Sequence, residues 1–320
     1  MLDTYGGFCL AIHGGAGTVP VAALKGAAAE AYHAALRTAL KAGWTVLNQG
    51  GPAVDAVAAA VVELENDALF NAARGAVFTS AGQLEMDAAI MNGADRAAGA
   101  LAGICGPKNP ILAARAVMEK SGTVFMIGTA AEAFLRTENI QFMPTDYFVT
   151  PRRLEALHLE LTRRAAGMPD TRSDADRHGT VGAVARDAAG NVAAGTSTGG
   201  MTAKRPGRVG DTPVIGAGTF ADNATCAVST TGTGEVFIRF TAAADIAARI
   251  RYAGQNLEQA AGDVIAELSA HGGDGGLIAV GATGAPVLPF NSSGMYRGFV
   301  GVDGVLSTAI HREAFRQVCQ

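Results

Sequence analysis

The sequence predicts an α+β layered fold, and three observations carry that prediction. Strand-like and helix-like stretches come in groups and not in strict alternation, which argues against a doubly wound sheet. Of the 320 residues, 49% are hydrophobic and 17% charged, so the chain can bury an ordinary core and is not a disordered one. Glycine is abundant at 42 residues without a collagen period, which points to tight turns and close backbone approaches. The length allows one large domain or two modest ones.

The elements follow in order. The opening MLDTYGGFCLAIHGGAG lacks a basic n-region and a long apolar run. It reads as a buried strand at about 6–12 followed by an IHGGAG turn, not as a signal peptide. Residues 21–48 are Ala-rich with helical spacing at Leu24, Ala28, Tyr32, Leu36 and Leu40, and Trp44 falls on the core side. A second helix starts near Pro52, with Val54, Val57, Val61 and Leu64 on one face. Residues 75–92 read as two strands around a Ser80–Gly82 turn. A helix over 109–120, a short strand TVFMIG and a helix TAAEAFLRTEN come next.

The character then changes. Residues 158–179 are charged and broken by Gly-Met-Pro, and they read as an exposed, mobile linker. TVGAVARD and NVAAGTST follow as a hairpin. DNATCAVSTTGTGEVFIRF adds one or two strands, and helices follow at about 241–252 and 256–270. GLIAVGATGAPVLPF reads as another hairpin, and RGFVGVDG as a last strand.

Bulk properties exclude several functions. Net charge is −4 with no basic tract, so neither nucleic acid nor a membrane surface is an expected partner. No apolar run approaches the roughly 20 residues of a membrane helix. Cys9, Cys105, Cys226 and Cys319 lie far apart with no CxxC pair, which fits a reduced, cytoplasmic protein without a metal–cysteine site.

HGTVGAVA, residues 178–185, raises the chemical question. It puts Thr180 after a glycine, at the start of a strand and just past the most polar segment. A threonine hydroxyl is a poor nucleophile without a base in reach. An α-amine, with a pKa of roughly 7.7–8.0, would be a suitable one. If the bond before Thr180 were cut, nucleophile and base would sit on one residue. Gly179 suits such a cut, because it tolerates the strained backbone that self-attack needs. The bland alternative is a strand-initial threonine after a loop glycine. His178 reads as a linker residue and His13 as a structural hydrogen-bonder. IHGGAG lacks the spacing of a phosphate loop.

Residues 178–235, with GTVGAVA, TSTGG, GRVGD and TGTGE, resemble the plant-type L-asparaginase / isoaspartyl peptidase family of N-terminal-nucleophile hydrolases. IHGGAG (12–17), LENDALFNAARGAVFTSAGQLEMDAAIMNG (64–93), NPILAARAVME (109–119) and PFNSSGMYRG (289–298) extend the resemblance over nearly the whole chain. It implies a four-layer αββα sandwich, cut between Gly179 and Thr180 into an upstream chain 1–179 and a downstream chain 180–320. Two such units would pair as a homodimer.

The resemblance also implies roles. Thr180 is the nucleophile and Thr198 the threonine beside it. Arg208 and Asp211 grip the substrate's α-carboxylate and α-ammonium. Thr231 and Gly232 are oxyanion donors, Gly234 lines the same pocket, and Asn71 lies close to the nucleophile. The carbonyls of Leu64, Glu65, Asp67, Phe70, Ala72 and Arg74 would hold a structural sodium ion; catalysis itself would need no cofactor. The chain reads NAARG where relatives have NAG-x-G, so Ala73 stands where glycine is usual. A positive φ there would strain an alanine. Thr230 stands where cysteine is frequent, with no consequence legible in the sequence.

The expected reaction is attack of Thr180 on the β-carbonyl of an aspartyl amide, either an isoaspartyl dipeptide or L-asparagine. A β-aspartyl ester forms and water releases aspartate. Arg208 suits a carboxylate because its guanidinium binds bidentately, and a carboxylate at Asp211 suits an ammonium. On spacing alone, an ordinary Arg208–Asp211 surface ion pair is the alternative. Two rival functions stay open on the sequence: a glycosylasparaginase-type hydrolase, and an uncleaved, non-catalytic amino-acid-binding protein.

Overall fold

A nine-stranded sheet and a three-stranded sheet form the frame of the protein. The structure is a computed structural model and describes residues 7–17, 24–169 and 179–319. The elements in chain order are β1 (Cys9–Ala16), α1 (Gly26–Asn48), α2 (Ala53–Asn66), β2 (Met86–Asn92), β3 (Ala98–Ile104), α3 (Pro110–Lys120), β4 (Phe125–Ile127), α4 (Gly128–Thr137) and α5 (Pro151–Ala165). They continue with β5 (Val181–Arg186), β6 (Val192–Thr198), β7 (Thr219–Ala221), β8 (Cys226–Gly232), α6 (Gly234–Arg239), α7 (Ala242–Ala253) and α8 (Leu257–Ala270). Last come β9 (Gly275–Gly281), β10 (Met295–Val300), β11 (Leu306–Ala309) and β12 (Arg316–Val318).

The large sheet runs β12-β11-β10-β1-β5-β6-β2-β3-β4, and the small one β7-β8-β9. Every pairing is antiparallel except β3 with β4. Strand β5, which begins one residue after Thr180, is therefore central in the large sheet.

Period-2 alternation sends neighbouring residues to opposite cores. Leu10 and Ile12 join the core beneath α1, α2 and α3, while Cys9 and Ala11 join the core shared with β8, β9, α7 and α8. In β5 and β6, Val181, Ala183 and Ala193 face the first core, and Val184, Val192 and Ala194 the second. Both faces of the central strands are buried, so their residues are small. At Gly182 an added Cβ would lie 2.0 Å from the Ser229 Oγ, so only glycine lets β5 approach β8 this closely.

Helix starts follow local chemistry. Pro110 and Pro151 stand at first-turn positions, where a missing N–H costs nothing. Thr150 caps α5 by accepting from the Arg153 N–H, and Asn256 caps α8 by accepting from the Gln259 N–H. The buried Glu65 carboxyl accepts from the Ile111 N–H at 2.9 Å and so ties α2 to the start of α3. Desolvation pushes this carboxyl up to about 8, so it is held neutral. No helix among the described residues is long and apolar enough to cross a membrane.

Several expectations need correction. IHGGAG is not a turn: β1 runs through it to Ala16, with a register shift between His13 and Ala16. Of the two strands expected in 75–92 only β2 forms. The stretch before it makes the Thr79–Gly82 turn and a single bridge from Thr79 to Lys204. EVFIR is helix α6 and no strand. The return arm after β9 makes only isolated bridges, Val287 to Ala279 and Phe290 to Gly276.

The linker expected from about 158 starts as the second half of α5. Arg153, Leu157 and Glu160 form its buried stripe, and Glu160 takes ion pairs from Arg163 and Arg164. Its charges thus belong to a capped, packed helix. Residues 170–178, with His178, lie outside the described residues. Trp44 is half-buried and donates to the Gly301 carbonyl at 3.1 Å.

Candidate active site

Strand register builds the site. In the β5–β6 ladder Val181 pairs with Ser197, so Thr180 and Thr198 fall opposite each other one step further along. Both are nearly buried, at 6% and 3% exposure. The Thr180 hydroxyl donates to the Thr198 Oγ1 at 3.2 Å. The Thr198 hydroxyl donates to the Gly179 carbonyl oxygen at 2.8 Å and accepts from the Gly200 N–H at 2.9 Å. Its one donor and two acceptor positions are all used.

Asn71 completes this corner. Its Nδ2 donates to the Gly179 carbonyl at 2.9 Å and to the Gly200 carbonyl at 2.7 Å, while its Oδ1 accepts from the Val77 N–H at 3.0 Å. The carbonyl of the peptide bond joining 179 to 180 thus carries two side-chain donors. On its other side the backbone of β1 closes in. At Gly15, φ is +110, and an added Cβ would sit 3.3 Å from both the Gly179 Cα and the Thr180 N. Any side chain there would press on the bond.

Behind Thr180 lies a buried chain of polar groups. His13 Nδ1 meets the Thr180 carbonyl at 3.0 Å and Nε2 meets the Ser229 Oγ at 2.9 Å. A carbonyl only accepts, so Nδ1 carries the proton and Ser229 donates to Nε2. Ser229 contacts Thr196 at 2.7 Å, and Thr219 donates to Thr196 at 2.7 Å. Desolvation lowers His13 to about 3, so the ring is neutral and holds the backbone in place, as read from the sequence. Ser229 escaped the sequence reading because nothing in CAVSTTG sets it apart from its hydroxyl neighbours.

The opposite wall is charged. A cleft of about 240 Å³, open mouth included, runs from Gly179 and Thr180 to Arg208, Asp211 and Gly232. Asp211 is buried and accepts from the Thr230 Oγ1 at 2.6 Å, so Thr230 has a structural partner after all. Desolvation pushes Asp211 up to about 6, against the opposing effect of the Thr230 bond. Arg208 pairs not with Asp211 but with Glu235: Nε and Nη2 each donate to a Glu235 oxygen at 2.9 Å. Glu235 was not singled out in the sequence, although it stands in TGTGE.

Gly234 abuts both charged groups, since a Cβ there would lie 2.8 Å from the Asp211 Oδ1 and 3.1 Å from the Arg208 Nη2. Thr231 is fully buried, and its Oγ1 accepts from the Ala16 N–H at 3.1 Å. Its neighbour Gly232 ends β8 and lines the cleft.

The end of α2 and the loop after it hold the six residues of the expected ion site. Leu64 and Glu65 lie in the last turn of the helix and Asp67 is its cap. The Asp67 carbonyl accepts from the Phe70 N–H at 3.3 Å and the Ala72 carbonyl from the Gly75 N–H at 3.1 Å. Ala73 adopts φ 43, so the position does take the left-handed conformation that glycine favours.

A larger hollow of about 1160 Å³, open mouth included, lies away from Thr180, between α4 and residues 142–148. Its thiol, Cys105, donates to the Leu84 carbonyl and is pushed up by burial, so it is not activated. Among the described residues no cluster of three or more His, Cys, Asp or Glu is arranged to hold a metal.

Comparison with known proteins places the chain in a family. Residues 6–310 match the family model described as Asparaginase. The chain is 49% identical to the isoaspartyl peptidase of Salmonella typhimurium, over 95% of this chain and 98% of that one. It is 46% identical to the isoaspartyl peptidase of Escherichia coli, over 95% and 96%. It is 40% identical to the human isoaspartyl peptidase/L-asparaginase, over 89% and 90%. The chain belongs to the asparaginase family.

Proposed function

We propose that this member of the asparaginase family is a self-activating threonine hydrolase of β-aspartyl amides, acting on isoaspartyl dipeptides and L-asparagine. One observation carries the proposal. Thr198 and Asn71 converge on the carbonyl of the bond preceding Thr180, and the Thr180 hydroxyl is hydrogen-bonded to Thr198, at one end of a cleft whose other end holds Arg208 and Asp211.

Self-cleavage comes first. The Thr180 oxygen attacks the Gly179 carbonyl carbon. Its proton passes to Thr198 as Thr198 gives its own to the carbonyl oxygen, along hydrogen bonds of 3.2 and 2.8 Å. Asn71 stabilises the same oxygen. The proton on that oxygen then moves to the Thr180 nitrogen as the C=O bond re-forms and the C–N bond breaks; an ester links Gly179 to the Thr180 side chain, and water hydrolyses it. The products are chains 1–179 and 180–320, the second with a free amine on its nucleophile.

Turnover reuses the parts. The amine takes the proton of the Thr180 hydroxyl, which attacks the substrate's β-carbonyl. Asp211 pairs with the α-ammonium and Arg208 with the α-carboxylate. The Thr231 hydroxyl and Gly232 N–H stabilise the oxyanion, and Gly234 leaves room for both charged groups. Ammonia or a peptide amine departs with the proton, and water frees aspartate from the β-aspartyl ester.

The same proposal extends to architecture. The two sheets, with helices packed on both outer sides, are read as the four layers of an αββα sandwich, and two cleaved units as a homodimer in the cytoplasm. The carbonyls of Leu64, Glu65, Asp67, Phe70, Ala72 and Arg74 are the chemistry a hard cation such as sodium prefers. Ala73, between Ala72 and Arg74, adopts the left-handed turn conformation. The ion would stiffen the loop that carries Asn71 and would supply no catalytic step.

Incubation with β-aspartyl-leucine and with L-asparagine, followed by assay of free aspartate, tests the proposal. Aspartate from either amide supports it. A folded protein that binds aspartate and releases none from either would be the non-catalytic binding protein instead.

A further inference from the structure

Arg208 is the one cation lining the cleft beside Thr180 among the described residues. Its guanidinium is already engaged. Nε and Nη2, the side-on edge of the fork, donate to the two oxygens of Glu235 at 2.9 Å each. The remaining edge faces two glycines, Gly210 and Gly234. A Cβ at Gly210 would lie 3.0 Å from Nη1 and one at Gly234 3.1 Å from Nη2. The Arg208 side chain is 17% exposed, whereas that of Glu235 is 55% exposed and can turn into water.

A carboxylate that needs bidentate contact with Arg208 through Nε and Nη2 meets an edge already filled. Adding it beside Glu235 would put two carboxylates on one guanidinium, with the buried Asp211 close by. Exchange avoids this, because the exposed Glu235 recovers its hydration as it leaves.

We propose that Glu235 is an exchangeable counter-ion, a stand-in that holds Arg208 in the substrate-free protein and is displaced by the substrate's α-carboxylate. The inference rests on the β-aspartyl amide function proposed above. Being tethered, Glu235 competes at a high local concentration. It raises KM, and by closing again on Arg208 it helps to expel aspartate, which keeps the same α-carboxylate. The chemical step takes place at the other end of the cleft and does not involve it.

The test compares the self-processed wild type with Glu235→Gln and Glu235→Ala. Kinetics are measured on L-asparagine and β-aspartyl-leucine, and binding of aspartate and of β-alanine is measured by calorimetry. β-Alanine keeps the amine and the chain carboxyl but lacks the α-carboxylate. In both variants, KM and the aspartate Kd are expected to fall about two- to fivefold, the worth of an exposed ion pair. Neither kcat nor the β-alanine Kd should move. A rise in KM and in the aspartate Kd would overturn the exchange and make Glu235 a positioning residue. Equal shifts for aspartate and β-alanine, or no shift for either, would also overturn it. Calorimetry needs no turnover, so a wild type that binds aspartate but hydrolyses neither amide would refute the proposed function separately.

Discussion

The two ends of the cleft are built on different principles. At the Thr180 end, neutral hydroxyls, amides and carbonyls are fixed by central strands, and the donors and acceptors around Thr198 are all used. At the Arg208 end the groups are charged, carried by a loop, and partly held by an exposed carboxylate. The difference suits two tasks. Covalent chemistry tolerates little displacement, so its groups sit where backbone register sets them. Recognition must admit and release a zwitterion, so its groups trade one partner for another.

Substitutions separate the two ends, and the nucleophile end should show the larger effects. Thr180→Ala should stay a single chain on a denaturing gel and lose amide hydrolysis by at least about 10,000-fold. Continued processing at the same bond would mean that another residue attacks. Thr198→Val removes the proton relay and one donor to the Gly179 carbonyl. Conversion of one band to two should slow about 100- to 1000-fold in a time course, and conversion at the wild-type rate would take Thr198 out of the relay.

At the charged end, Arg208→Ala should leave processing intact and lower kcat/KM on β-aspartyl-leucine about 100-fold. A processing defect in this variant would erase the contrast between the two ends. The pH profile sharpens it. The Thr180 amine must be deprotonated, so kcat/KM should fall below roughly pH 7.7–8.0 with a slope of about tenfold per unit. Asp211, raised to about 6 by burial, must also be ionised to hold an ammonium, so the limb should steepen below that pH. Asp211→Asn should lose most activity and the steepening with it. A limb that still steepens would exclude Asp211 as the group responsible.

The smallest effect lies outside both ends. Glu65 is raised from 4.5 to about 8 in the folded protein. Between those values the folded chain holds a proton that the unfolded chain does not. Its contribution to stability is therefore complete below about pH 4.5 and is lost as pH climbs to about 8. Glu65→Gln should flatten the fall in Tm between pH 5 and 8 and leave kcat/KM unchanged. An unaltered slope would show that Glu65 ionises normally.

Much of this was legible in the sequence where a single element decides the outcome. The alternating small residues of β5 and β6 mark the hairpin that sets Thr180 opposite Thr198, and helical spacing marks α1, α2, α7 and α8. Failures fall where tertiary contacts override local signals. AGALAGI, poor in β-formers, is passed over in the sequence reading. It forms β3 because it pairs with β2, and because Gly99 lets α3 lie close: a Cβ there would be 2.0 Å from the Ala114 carbonyl. The charges of 158–165 read as solvated linker, yet Glu160 is buried and satisfied by the arginines one turn on. In the site, chemical types could be read but partners could not. Arg208 and Asp211 stand three apart and invite pairing, whereas the fold gives Arg208 to Glu235 and Asp211 to Thr230.

N-terminal sequencing of the smaller fragment from an active preparation is the most direct test of the central claim. Cleavage at the bond gripped by Asn71 and Thr198 predicts a start at Thr-Val-Gly-Ala. An active preparation that holds only the intact 32.4 kDa chain, or a fragment starting elsewhere, would contradict it.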